Sequence, residues 1–181
     1  GLGDVYKRQG YHDTTNAELA IQVPALMIVG ENDLDYRIEN LTNIFLNHRT
    51  EGAKWILAKE PGAGHSLVTD FSFLNSFFFT VVNLRMPHSA NLFEPIILNS
   101  LSDSIGWLGN QDTYTIGSWE CYNSNKDSSS WFPSRLVGEK WQNFVSEFAT
   151  DTSSCYPILD SSYVLFTCLL YTSPSPRDSN L

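Results

Sequence analysis

A chain of 181 residues is long enough for one ordinary domain, and 42% hydrophobic with 13% aromatic residues can supply a core, so disorder is not the default reading. Twenty acidic side chains against eleven basic ones, a formal charge of -9, argue against nucleic acid and against an anionic membrane as partners, because both are bound through clustered cations. The three cysteines, Cys121, Cys155 and Cys168, show neither CxxC nor Cys/His ligand spacing; no zinc or redox site is indicated, one disulfide can form, and the compartment stays open.

The two ends do not read as native polypeptide. One coding of Asp4-Val5-Tyr6-Lys7-Arg8-Gln9, read on the opposite strand and one base in, translates as Cys-Leu-Leu-Tyr-Thr-Ser, which is the sequence of residues 168–173. The termini therefore resemble one inverted-repeat sequencing adapter read in opposite directions, and the Pro-Ser-Pro-Arg run that follows fits its continuation rather than a proline-rich ligand. Residues 1–9 and 168–181 are accordingly set apart from fold reasoning and expected to lack order, and coding sequence is expected upstream. No signal peptide opens the chain, an absence that carries little weight for the same reason.

The first element is expected at Ala25-Leu26-Met27-Ile28-Val29, a continuous apolar run ended by Gly30, which suits a strand covered on both faces in a parallel sheet. Pro24 at its start is tolerated because a first strand residue can lack a ladder donor. Leu41, Ile44 and Phe45 at i, i+3 and i+4 mark an amphipathic helix over about 36–48. Lys54-Trp55-Ile56-Leu57-Ala58 is a second strand, closed by the turn Pro61-Gly62-Ala63-Gly64. An apolar helix follows over about 67–82; with Asn75, Ser76 and Asn83 inside its apolar stretch it is too short and too polar to span a membrane and is expected to be buried. Strand, helix, strand, helix predicts a right-handed βαβ unit. Two strands are too small a sheet to stand alone.

Beyond Arg85 the pattern changes. Residues 91–101 read as a helix with Leu92, Ile96 and Ile97 on one face, followed by a Gly/Asn/Trp-rich stretch and a polar loop over 122–130. Pro133 opens a last amphipathic helix to about Phe148, with Leu136, Trp141, Phe144, Val145 and Phe148 available for packing. Residues 151–167 carry no clear pattern. The expected organisation is an α/β core over 10–85 and a mainly helical, Trp-rich extension over 86–150.

Chemistry is expected where the two strands end. Acyl transfer by a hydroxyl needs a histidine base and a carboxylate that fixes its tautomer, and in doubly wound sheets such groups lie on loops at the carboxyl ends of strands. Val29-Gly30-Glu31-Asn32-Asp33 follows the first strand and Gly62-Ala63-Gly64-His65-Ser66 the second. A hydrophobic strand, Gly-x-x-Asp, a helix, another strand and a glycine-flanked His-Ser over residues 23–66 resemble the last two catalytic elements of α/β-hydrolases, whose chain order is nucleophile, acid, histidine. That resemblance implies the C-terminal part of a doubly wound, mostly parallel hydrolase sheet, with Asp33 as triad acid and His65 as general base. It also implies a small-molecule ester as substrate, with no metal or organic cofactor. Asp35, on the same loop, is the one substitute for Asp33. Glu31 and Glu60 read as solvated loop carboxylates, and His12, His48 and His88 as surface or structural. Asn40-Leu41-Thr42 fits a glycosylation acceptor but sits inside an expected helix.

The family's nucleophile elbow, Gly-x-Ser-x-Gly, is nowhere in the sequence, nor is an upstream oxyanion loop. Ser118 follows the histidine and lacks the second glycine. The chain as it stands is therefore expected to be inert, the serine being supplied from upstream. Segments 106–110, 131–134 and 141–145 resemble a C-terminal extension of bacterial esterase-like members. Trp107, Trp119, Trp131 and Trp141 are expected mainly in packing, or lining an acyl pocket if the extension caps the crevice. Two rival readings remain, a non-catalytic binding domain with a hydrolase fold and a response-regulator-like domain with Asp33 as a lone carboxylate. An Asp33 carboxylate about 2.6–3.2 Å from a His65 ring nitrogen would separate the triad from the latter. Without central strands, an open sheet edge is expected to make the piece aggregate when expressed alone.

Overall fold

The computed structural model describes residues 21–65, 71–89, 91 and 93–146. Strand β1 (Ala25–Gly30) and strand β2 (Trp55–Glu60) pair in parallel, Ala25 opposite Trp55 and Gly30 opposite Glu60. Helix α1 (Asp35–Thr50) connects them, and helix α2 (Phe71–Arg85) follows β2. Because side chains alternate across a strand, the two faces of this ribbon take different partners. Ala25, Met27, Val29, Trp55 and Leu57 pack with Phe45 and the apolar side of α1. Leu26, Ile28, Ile56 and Ala58 pack on the opposite face with Phe73 and Phe77 of α2.

The start of α1 shows which force governs this unit. Its N-cap is Leu34, whose side chain caps nothing. A missing cap costs about 1 kcal/mol, whereas full burial of a phenylalanine such as Phe45 contributes about 1.5–3 kcal/mol; packing, not capping, holds the helix. At its other end His48 stacks on Trp55 with ring centroids 4.3 Å apart and places Nδ1 2.8 Å from the Ile44 carbonyl, a structural role.

The extension departs from the helical expectation. Three short strands, β3 (Trp107–Gly109), β4 (Ile116–Ser118) and β5 (Ser130–Phe132), form an antiparallel sheet with β3 in the centre. Helix α3 (Arg135–Val145) packs behind it and beside α2. Ser134 caps α3 by accepting from the Val137 N–H at 3.3 Å, so Pro133 lies just before the cap. Gly109 is required where it stands, because any Cβ would meet the Phe132 ring at 2.6 Å and the Trp141 ring at 2.9 Å.

Extension and core meet at the outer edge of β2. Leu57 there gives its N–H to Ser130 Oγ at 2.9 Å, and its carbonyl accepts from Trp141 Nε1 at 2.8 Å and Gln111 Nε2 at 3.3 Å. Side chains thus occupy backbone groups that another strand would use. A second tie is Arg49, 3% exposed, whose guanidinium donates to the carbonyls of Ser129 at 2.7 Å, Lys126 at 2.8 Å and Ala53. Burial pulls its pKa down, and the charges of Asp103 and Asp127 oppose that pull. The other edge of β1 carries no strand among the described residues.

Several expectations are corrected. Residues 91 and 93–101 form no helix. Pro95 lacks an N–H and biases Glu94 away from helical angles, while Asn91 folds a local turn by accepting from the Phe93 N–H at 3.1 Å. The loop expected over 122–130 contains a 3-10 turn (Lys126–Ser128) and the first residue of β5. Leu136 is 55% exposed rather than packed. Helix α2 is buried on one side only, with Phe71, Phe78, Phe79 and Val82 exposed, and no described helix is long and apolar enough to cross a membrane. Cys121 is disulfide-bonded; Cys155, Cys168, Phe148, His12, residues 151–167 and both adapter-like ends lie outside the described residues.

Candidate functional site

The carboxyl ends of β1 and β2 are bound to each other before any side chain is considered. Glu31 N–H donates to the Glu60 carbonyl at 2.9 Å and Asn32 N–H to the Ala63 carbonyl at 2.8 Å, continuing the parallel ladder into the loops. Glu31, expected to be a solvated carboxylate, accepts the Gly62 N–H on Oε2 at 2.9 Å and ties the second loop to the first. Gly30 lets the loops cross this closely, since a Cβ there would collide with the carbonyls of Ala63 and Gly64. Gly62, with φ of +66°, turns the chain toward His65 in a conformation open mainly to glycine.

On this frame the structure brings Asp33 and His65 together. His65 Nδ1 lies 3.0 Å from Asp33 Oδ2, inside hydrogen-bonding range. The Asp33 side chain is 2% exposed and that of His65 52% exposed, so a buried anion meets an accessible ring. Asp33 Oδ1 accepts two further bonds, from Leu34 N–H at 2.7 Å and from Arg37 Nη1 at 3.1 Å. Burial pushes the Asp33 carboxyl up, but the bonds from Leu34, His65 and Arg37, together with the field of His65, outweigh it and hold the pKa below the ordinary value.

The protonation pattern follows from that balance. An ionised carboxylate only accepts, so the Nδ1 facing it carries the hydrogen. In the neutral ring the lone pair then resides on Nε2, which meets no hydrogen-bond partner among the described residues. A buried carboxylate behind Nδ1, with Nε2 unpartnered among the described residues, is an arrangement that can relay a proton.

The remaining candidates are not part of it. Asp35 lies exposed in the first turn of α1 and makes no bond to His65. Glu60 serves the loop crossing through its carbonyl, and His88 is exposed. Ser118 lies in β4, 7% exposed, and its hydroxyl has no partner among the described residues, so no base addresses it. Trp131 and Trp141 are fully buried in the extension. Trp107 and Trp119 are half-buried beneath Arg135 and Lys126. Among the described residues no group of three or more His, Cys, Asp or Glu side chains could hold a metal ion.

Arg37 was the residue that sequence reasoning missed. The signal was present, since Arg four residues after Asp is a helix-compatible ion pair, but a lone arginine at the start of an expected amphipathic helix belongs to no catalytic motif. No family model, no curated protein and no solved structure matches the chain.

Proposed function

We propose that Asp33 and His65 are the acid and general base of a serine-hydrolase triad, and that the residues around them are the C-terminal part of an α/β-hydrolase sheet. The protein would cleave a small-molecule carboxylic ester through an acyl-enzyme, using neither metal nor organic cofactor, with the serine and the oxyanion donors contributed from upstream of these residues. His65 Nε2 takes the serine proton and returns it to the leaving alcohol. Asp33 holds the ring as the Nδ1–H tautomer and stabilises the imidazolium that forms between the two transfers.

The observation that carries this reading is the 3.0 Å contact between Asp33 Oδ2 and His65 Nδ1 across two parallel strand tips, with the His65 side chain 52% exposed. A lone carboxylate on a doubly wound domain would need no imidazole there. Specificity among ester, lactone, thioester and amide is set by parts of the site that these residues do not carry.

The test is recovery of the upstream reading frame from the parent DNA, followed by assay of the joined protein. A Gly-x-Ser-x-Gly after a strand, ester hydrolysis, and labelling of that serine by a fluorophosphonate are expected. Asp33→Asn should then lower kcat on the order of 10³–10⁴-fold, by presenting the wrong tautomer. An intact upstream frame without a nucleophile would favour a non-catalytic binding domain of the same fold, and the 181-residue chain alone should show no turnover in either case.

A further inference from the structure

We propose that Arg37 is a positioning residue for the Asp33–His65 pair, committing one carboxylate oxygen of Asp33 so that the other is reserved for the imidazole. This inference rests on the triad reading above and adds to it a fourth residue that acts through Asp33 without touching substrate.

A carboxylate turns about its Cβ–Cγ bond and its two oxygens are equivalent, so what has to be fixed for His65 is the torsion of the carboxylate plane, which burial alone does not set. Oδ1 takes two donors, Leu34 N–H and Arg37 Nη1, whereas Oδ2 takes His65 Nδ1. With a single backbone donor on Oδ1, a modest rotation would let the carboxylate share its oxygens between backbone and ring. A second, charged donor on the same oxygen makes that rotation cost a charge-assisted bond.

Arg37 is itself held. Its Nε donates to the Tyr36 hydroxyl at 3.1 Å, and the guanidinium lies 5.6 Å from the Tyr36 ring centroid, so the fork is fixed on its outer side while Nη1 points inward. The side chain is 26% exposed, and it is the Asp33 side chain, 2% exposed, that shields the pair from full solvent screening.

Its place in the helix adds a second argument. Arg37 stands in the first turn of α1, where the unpaired N–H groups carry partial positive charge and a cation is unfavourable. Helix stability alone would favour an acidic residue there, as Asp35 supplies. An arginine at that position is explained by the carboxylate four residues earlier. The other charged groups on these loops are turned elsewhere: Glu31 holds Gly62, and Asp35 is exposed.

The test reads no turnover and uses the protein joined to its upstream sequence, in which the open sheet edge expected to drive aggregation is covered. Nitrogen-15 NMR of the His65 ring reports its tautomer, and carbon-13 NMR of the Asp33 carboxyl reports its titration. The parent chain is expected to show His65 mainly as the Nδ1–H form. Arg37→Gln should move the tautomer ratio toward Nε2–H, the form favoured by free histidine, by at least about threefold, and should raise the Asp33 midpoint toward the ordinary carboxylate value. Arg37→Lys keeps the cation but loses the fork, so the Asp33 midpoint should stay near the parent's while the tautomer ratio still shifts.

A parent-like tautomer ratio in Arg37→Gln overturns the proposal; should that variant not fold, a parent-like ratio in Arg37→Lys does the same. These results separate from failure of the triad reading itself. A parent chain with His65 mainly Nε2–H would sink both, whereas Nδ1–H in the parent and in both variants would sink only the role of Arg37.

Discussion

The strand–helix unit of residues 25–85 and the extension of residues 103–145 reach order by different routes. In the first, six-residue strands and two helices bury side chains by regular alternation, and the functional loops are simply where the two parallel strands end. In the second, strands of three residues each are too short to be held by their ladder, and long-range side chains do the work: the Trp141 indole, Gln111 and Ser130 on Leu57, and Arg49 reaching from α1 into the 126–129 turn. The first unit therefore sets the geometry of Asp33 and His65. The second closes the outer edge of β2, so damage to it should cost stability before it disturbs the pair.

That division can be broken most forcefully at Trp141, fully buried and in contact with Phe132 and Tyr114. Trp141→Ala is expected to lose about 3–5 kcal/mol in denaturant unfolding, with the His65 tautomer retained in the molecules still folded. Arg49→Met removes the cation from three carbonyls and should cost about 2–3 kcal/mol by the same measurement; a neutral result would show that water satisfies those carbonyls as well. Ser130→Ala takes one hydroxyl from Leu57 and should cost about 1 kcal/mol, with faster amide exchange at Leu57 as its local signature.

The smallest effect concerns pH. Asp33 has a folded-state pKa below its ordinary value of 3.8, so on acidification the unfolded chain takes up its proton first. Its contribution to stability is complete above that ordinary value, declines as pH falls toward the folded value, and is lost below it. Asp33→Asn should therefore be less stable than the parent near neutrality, the gap narrowing through this acid window. Parallel stability–pH curves for the two proteins would mean that the carboxylate is no better held folded than unfolded.

Legibility in the sequence followed the same division. The runs Ala25–Val29 and Lys54–Ala58 and the Leu41/Ile44/Phe45 periodicity announced their elements because each repeats a pattern over enough residues to exceed chance, although the second strand runs on to Glu60. Gly-x-x-Asp and Gly-His-Ser stood at the ends of those strands, so the two side chains that meet could be named in advance. Trp107-Leu108-Gly109 and Ser130-Trp131-Phe132 could not announce strands, because three residues span barely one period of alternation. Residues 91–101 misled because apolar spacing outweighed Pro95, which forbids the helix. Arg37 lay in the expected amphipathic helix and Arg49 just past its expected end, neither in any recognised motif, and the partners of Arg49 are backbone carbonyls that no sequence pattern encodes.

Taken alone, the sequence determined the parallel strand–helix unit and the loop origin of Asp33 and His65, because periodicity and glycine chemistry act over a few neighbouring residues. Only the tertiary structure decided how the Asp33 carboxylate is oriented toward the ring, which edge of β2 is closed, and that the tryptophan-rich half is a small sheet. Those outcomes depend on pairings outside local reach, from the Trp107–Phe132 strand register to the Trp141–Leu57 bond between residues 84 positions apart, where the choice is made by competition for buried hydrogen-bond partners and not by local preference.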